Sequence, residues 1–73
     1  MFSGERLREL RKENGLNREA LAETLHIRPR TITFYETNDR SPSIEKVYEI
    51  AEYFDVSLDY LFNRTHCRTV KRE

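Results

Sequence analysis

A single cysteine, Cys67, leaves no partner for an internal disulfide, and no zinc-ligand spacing forms around His26, His66 and Cys67. Only two glycines are present, so the chain has no phosphate-cradling glycine loop. Paired carboxylates, a nucleophile–base constellation and a metal cluster are missing as well, and no cofactor or catalytic residue is implied. Glu45, Glu49 and Glu52 read as an ordinary solvated helix face. No apolar run approaches the roughly 20 residues of a membrane span, and Met1–Arg6 has no apolar signal core. These absences describe a non-enzymatic protein, expected to be cytoplasmic and to have no membrane partner.

Net charge is also lacking, since 13 lysines and arginines balance 13 acids. The balance is uneven along the chain. Residues 1–40 carry +1, residues 41–63 carry −4 and residues 64–73 carry +3. For a charged partner, the distribution over a face matters more than the total.

What is present is helical periodicity, with no strand alternation. Leu7 and Leu10 form one stripe on a first helix from about Ser3 to Asn14, and Gly15 offers a left-handed exit. Asn17 caps a second helix carrying Leu21, Ala22 and Leu25, and His26-Ile27 form a tight turn. A third helix runs from Pro29 to about Thr37, with Ile32 and Tyr35 in the core. Ser43 opens a fourth, with Ile44, Val47, Ile50, Ala51 and Phe54 as its buried stripe. Ser57 opens a fifth, with Leu58, Leu61 and Phe62. Tyr48, Tyr53 and Tyr60 read as half-buried surface tyrosines. The spacing predicts an all-α domain of five short helices over residues 1–63, followed by a basic, mobile tail over residues 64–73.

The third helix breaks a rule that the other four keep. Ser3/Glu5, Asn17/Glu19, Ser43/Glu45 and Ser57/Asp59 each pair a capping side chain with an acid two residues on. That arrangement satisfies an orphan N–H and complements the positive end of the helix dipole. The third helix instead begins Arg28-Pro29-Arg30, adding cations where the dipole is already positive. Such a start suits an incoming anion, and a phosphate of nucleic acid is the plainest candidate.

The stretches ERLRELRKENGLNREALAETLHI, TITFYE and RSPSIEKVYEIAEYFDVSLDYLF together resemble the phage-repressor type of helix-turn-helix domain, the Xre or Cro/C1 family. The resemblance covers nearly all of the chain except the tail. It implies a compact lambda-repressor-like fold in which helices two and three form the helix-turn-helix. It also implies that helix three enters the DNA major groove while helix two crosses the backbone. By position, Arg28, Pro29, Arg30, Thr33 and Phe34 become base-facing candidates, and Asn17, Arg18, Thr37, Asn38 and Arg40 phosphate-facing ones. Arg30 suits the O6/N7 edge of guanine; Arg28 suits a phosphate better than a base. Arg11 and Glu36 map to a structural ion pair, and Leu58, Asp59 and Tyr60 to a two-fold subunit contact.

Four positions depart from the family pattern. Arg18 stands for a glutamine, His26 for the turn glycine, Arg28 for a small cap and Phe34 for a polar residue. Phe34 either contacts thymine methyls or packs against a partner. The resulting expectation is a duplex-DNA-binding transcriptional regulator of bacterial or phage type. It would act as a repressor and homodimer on a near-palindromic operator, with a protein partner as one route of control. The alternative is a protein-interaction module of the same fold, antitoxin-like or antirepressor-like.

Overall fold

The computed structural model describes residues 1–68. Among these residues there are five α-helices and no strand: α1 Gly4–Glu13, α2 Arg18–Leu25, α3 Pro29–Glu36, α4 Ile44–Phe54 and α5 Leu58–Leu61. The starts follow the capping logic of the sequence. Ser3, Asn17, Ser43 and Ser57 accept side-chain bonds from the backbone N–H groups of Arg6, Ala20, Lys46 and Tyr60, respectively. α3 differs: Pro29 opens it, Arg28 holds the extended cap geometry at φ −86°, ψ 149°, and no side chain caps it.

The helix ends share one device. Each exits through a residue with positive φ: Gly15, His26, Asn38, Asp55 and Asn63, in chain order. The N–H of the residue after each of these donates to a carbonyl five residues back. The five bonds run from Leu16 to Arg11, Ile27 to Ala22, Asp39 to Phe34, Val56 to Ala51 and Arg64 to Asp59, at 2.8–3.1 Å. This is the Schellman closure. Four of the five positions use His, Asn or Asp, the side chains that best tolerate the left-handed region after glycine. The exits expected at Gly15 and His26 are present. Those at Asn38, Asp55 and Asn63 were not anticipated.

Leu7, Leu21, Leu25, Ile32, Val47, Ile50 and Leu61 are fully enclosed at the centre. Phe2 joins them and meets the Tyr35 ring edge-on with centroids 6.4 Å apart. The N-terminus is pinned by the Ser3 N–H, which donates to the Leu61 carbonyl at 2.8 Å. The start of α1 then presses against the end of α3. A Cβ on Gly4 would lie 2.2 Å from the Tyr35 carbonyl oxygen and 2.6 Å from that of Glu36. Only glycine permits this approach of backbone to backbone.

Three expectations require correction. Ile44 is 51% exposed, because it sits on the flank of the stripe formed by Val47, Ile50 and Ala51, while Pro42 takes a buried place ahead of it. Tyr60 is a core residue at 5% exposure. The guanidinium groups of Arg6 and Arg68 lie 4.3 Å and 5.1 Å from its ring centroid. Finally, the segment after Asn63 is held rather than free through Arg68. Arg6 donates to the Tyr60 and Thr65 carbonyls, and the Ser57 N–H donates to the Arg68 carbonyl at 2.9 Å. Arg68 also makes two bonds to Glu13 at 2.6 and 2.7 Å. The rest of the expected tail, including Val70, Lys71 and Arg72, lies outside the described residues.

Two outcomes follow from these contacts. Gly4→Ala should destabilise the domain by about 1–3 kcal/mol, since the added methyl meets backbone that cannot turn away. Gly15→Ala has open space around it and only its φ of 67° to contend with, so thermal melting should rank Gly4→Ala as the more damaging. The second outcome concerns pH. The Arg68 bonds hold the Glu13 carboxyl below the ordinary value of 4.5. A depressed carboxyl stabilises the fold above its unfolded value and loses that effect as pH falls through its folded one. The melting-temperature difference between wild type and Arg68→Ala should therefore be present at neutral pH and shrink below about pH 4.5.

Candidate nucleic-acid interface

α3 divides its side chains between two directions. Ile32, Tyr35 and Glu36 are buried. Helical spacing puts Arg30 and Phe34 on the opposite face, with Thr33 beside them. Arg28 and Arg30 are exposed, and neither guanidinium has a hydrogen-bond or ion-pair partner among the described residues. No side chain caps α3 and no acid lies in its first turn. The N–H groups of Thr31 and Ile32 donate to the Arg28 carbonyl, so the unpartnered Arg30 N–H, the positive dipole end and two unpaired guanidinium groups converge, an arrangement that attracts an anion. Pro29 at the first helical position is exposed and has no N–H to give.

At the opposite end of α3 lies a buried ionic cluster. Arg11 Nε donates to Glu36 Oε2 at 2.6 Å and its Nη2 to Oε1 at 3.3 Å. The third nitrogen, Nη1, donates to the Leu16 carbonyl at 2.9 Å. The side chains of Arg11 and Glu36 are 8% and 2% exposed. The ion pair expected between these residues is therefore present and saturated. Sequence reasoning missed the third member: Arg18 Nε and Nη2 both lie 3.3 Å from Glu36 Oε1. The Arg18 side chain remains 42% exposed, so the carboxylate holds one edge of a guanidinium whose other edge meets solvent. The cluster carries two cations and one anion, and its surplus positive charge appears at the start of α2.

The other phosphate-facing candidates divide. Asn17 is exposed and caps α2, its Oδ1 accepting from the Ala20 N–H at 2.7 Å. Thr37 is exposed, but its hydroxyl proton is engaged locally, with Asp39 Oδ2 at 2.8 Å and the Thr33 carbonyl at 3.0 Å. Asn38 turns toward α1: its Oδ1 accepts from the Gly4 N–H at 2.9 Å and its Nδ2 donates to Glu5 Oε1 at 3.1 Å. The Asn38 bond also depresses the Glu5 carboxyl. These bonds leave the second Nδ2 hydrogen as the one side-chain donor that Asn38 can offer a phosphate. Arg40, from the loop after α3, swings back so that its guanidinium lies 5.0 Å from the Phe34 ring centroid. That placement covers part of an aromatic otherwise left on the surface, and no sequence pattern pointed to it.

Leu58, Asp59 and Tyr60 are not brought to this surface, because α5 packs on α1 and α4. Leu58 is half-buried and Asp59 exposed. The outer face of α4 carries the exposed acids Glu45, Glu49 and Glu52. Its one cation, Lys46, donates to the Leu25 carbonyl at 2.7 Å and pairs with Glu49 at 2.8 Å. Among the described residues no three His, Cys, Asp or Glu side chains are grouped to hold a metal ion.

Residues 4–66 match the family model of a helix-turn-helix domain. The chain is 38% identical over 61 residues to YobD, an uncharacterized HTH-type transcriptional regulator of Bacillus subtilis, covering 84% of this chain and 54% of that protein. It is 34% identical over 58 residues to RstR, the transcriptional repressor of the cryptic phage CTXphi of Vibrio cholerae, covering 80% and 51%. The chain thus spans about half the length of these two relatives. Among solved structures, the P22 c2 repressor in complex with a synthetic operator superposes with a TM-score of 0.81 at 25% identity, over 89% of this chain and 98% of that one. A transcriptional regulator from Listeria innocua gives 0.76 at 34% identity, over 96% and 61%.

The ionic cluster yields a direct expectation. Glu36→Ala strands the buried Arg11 charge and should destabilise by about 3–5 kcal/mol. The double variant Arg11→Met with Glu36→Leu, which removes both charges and keeps apolar volume, should recover much of that loss. Urea unfolding of the two variants measures the difference; a double variant no more stable than Glu36→Ala would refute the stranded-charge account.

Proposed function

The chain belongs to the helix-turn-helix domain family, and on that premise we propose that it is a sequence-specific transcriptional repressor of the Xre or Cro/C1 type that binds duplex DNA through α3. The observation that supports this reading is the α3 start, which has no side-chain cap and no acid and where the exposed guanidinium groups of Arg28 and Arg30 are unpaired. An α-helix fits the major groove, and residues near its N-terminus reach base edges. Arg30 reads a guanine, with Thr33 and Phe34 as its neighbours on the helix. Arg28, Arg18, Asn17 and Arg40 neutralise or hydrogen-bond backbone phosphates. Thr37 and Asn38 contribute less, since their side chains are engaged within the fold. The operator-bound P22 c2 repressor supports the same use of a closely similar scaffold.

The protein acts in the cytoplasm as a homodimer on a near-palindromic operator, placing two copies of α3 about 34 Å apart or a multiple of that. Leu58 and Asp59 are the contact residues of that pairing. Tyr60 supports them from within the core rather than crossing the interface. A second reading, a protein-interaction module of antitoxin-like or antirepressor-like kind, draws on Ile44, Tyr48 and Tyr53, which are 51%, 55% and 45% exposed on α4.

A salt series of mobility shifts separates the two. A half-site that neutralises about four to six phosphates should lose about 10²–10³-fold in affinity between 50 and 200 mM salt. Arg18→Ala should weaken all sequences alike and lower the salt slope by about one, whereas Arg30→Ala should cost about 1–3 kcal/mol and relax one base position. The same titrations give the stoichiometry, expected at two chains per minimal site. Absence of binding to any duplex pool at low salt would overturn the DNA reading in favour of the interaction module.

A further inference from the structure

Phe34 lies one helical turn beyond Arg30, on the face of α3 opposite the buried Ile32, Tyr35 and Glu36. A phenyl ring neither donates nor accepts hydrogen bonds, so it is blind to the donor and acceptor code of base edges. The structure nevertheless holds it in place. The N–H groups of Asp39 and Arg40 both donate to the Phe34 carbonyl, at 2.9 and 3.2 Å, and fold the loop back onto α3. Arg40 then lies with its guanidinium 5.0 Å from the ring centroid, a cation–π contact that covers part of the ring. The ring stays half-buried rather than enclosed, and apolar surface remains beside Arg30.

Only one base presents an apolar group in the major groove, namely thymine through its C5-methyl. Four residues of helix rise about 6 Å, close to two steps of about 3.4 Å along one DNA strand. We propose that Phe34 is a specificity-determining residue that reads the C5-methyl of a thymine within about two base-pair steps of the guanine contacted by Arg30. Arg40 fixes the ring from the side, and its N–H edge remains available to a phosphate of the same strand. This inference rests on the DNA-binding role proposed above. Covering one methyl group corresponds to about fourfold in affinity.

The test uses the full chain and the duplex it selects from a random pool. Each thymine is replaced singly by deoxyuridine, which lacks only the methyl, and each guanine by 7-deazaguanine, which lacks the N7 acceptor. The expected result is a loss of about three- to tenfold at one or two thymines per half-site, lying within two steps of the guanine most sensitive to N7 removal. In Phe34→Ala, confirmed folded by its thermal melt, thymine and uracil duplexes should bind equally at those positions. If that variant does not fold, Phe34→Gln, which keeps side-chain length, takes its place with the same expectation. Equal binding of every uracil duplex by wild type would overturn the proposal while leaving DNA binding intact. So would thymine sensitivity that persists without Phe34, which assigns the methyl to another side chain such as Thr33. Failure to select any duplex would instead overturn the DNA-binding reading, and this inference with it.

Discussion

The arrangement of the first three helices depends on one buried carboxylate. Glu36 ends α3, receives Arg11 from α1 in a two-point ion pair and receives Arg18 from α2 on its remaining lone pairs. Placing a charge in a low-dielectric interior is unfavourable unless every polar atom finds a partner. Here the Arg11 nitrogens are all used, one of them on the carbonyl of Leu16, the residue whose N–H closes α1. No buried side-chain nitrogen or oxygen is left without a partner among the described residues. A small shift of α1 relative to α3 would break several bonds together, so the cluster specifies relative position as well as adding stability.

The two ends of α3 are treated in opposite ways. Its C-terminal carbonyls, the negative end of the dipole, are pressed against the positive start of α1, where Gly4 lets the backbones close and Asn38 bridges the junction. Its N-terminal end has no such neighbour, cap or acid and carries unpaired cations. The protein satisfies the inner terminus and leaves the outer one open, which orients the free electrostatic demand of the helix away from the core.

Much of this was legible in the residues. Capping serines and asparagine, apolar spacing and Pro29 place the five helices, because these signals act within a few residues. The inverted charge at Arg28 and Arg30 marks the exposed end of α3 for the same reason. What escaped the sequence depends on which helices meet. Gly4 looks like any glycine until the Tyr35 carbonyl lies against it. Asn38, placed among phosphate contacts by position, is turned into α1 by an exit geometry that its neighbours do not announce. Arg18, placed among the phosphate contacts, and Arg68, placed in the basic tail, each have an acid brought to them from a distant part of the chain. Tyr60 passed for a surface residue because its two covering arginines, Arg6 and Arg68, lie outside α5.

The division of labour along α3 has an evolutionary side. Its inward residues, Ile32, Tyr35 and Glu36, hold the scaffold, while Arg28, Arg30 and Thr33 make no interhelical bond that the fold relies on. Exchanging the exposed Arg28 and Arg30 leaves the core and the ionic cluster untouched, so lineages of this domain can change what the helix recognises at little cost in stability. The exception is Phe34, whose ring is coupled to Arg40. Changes there should travel in pairs across homologues, leaving a covariation signal that the other outward positions lack.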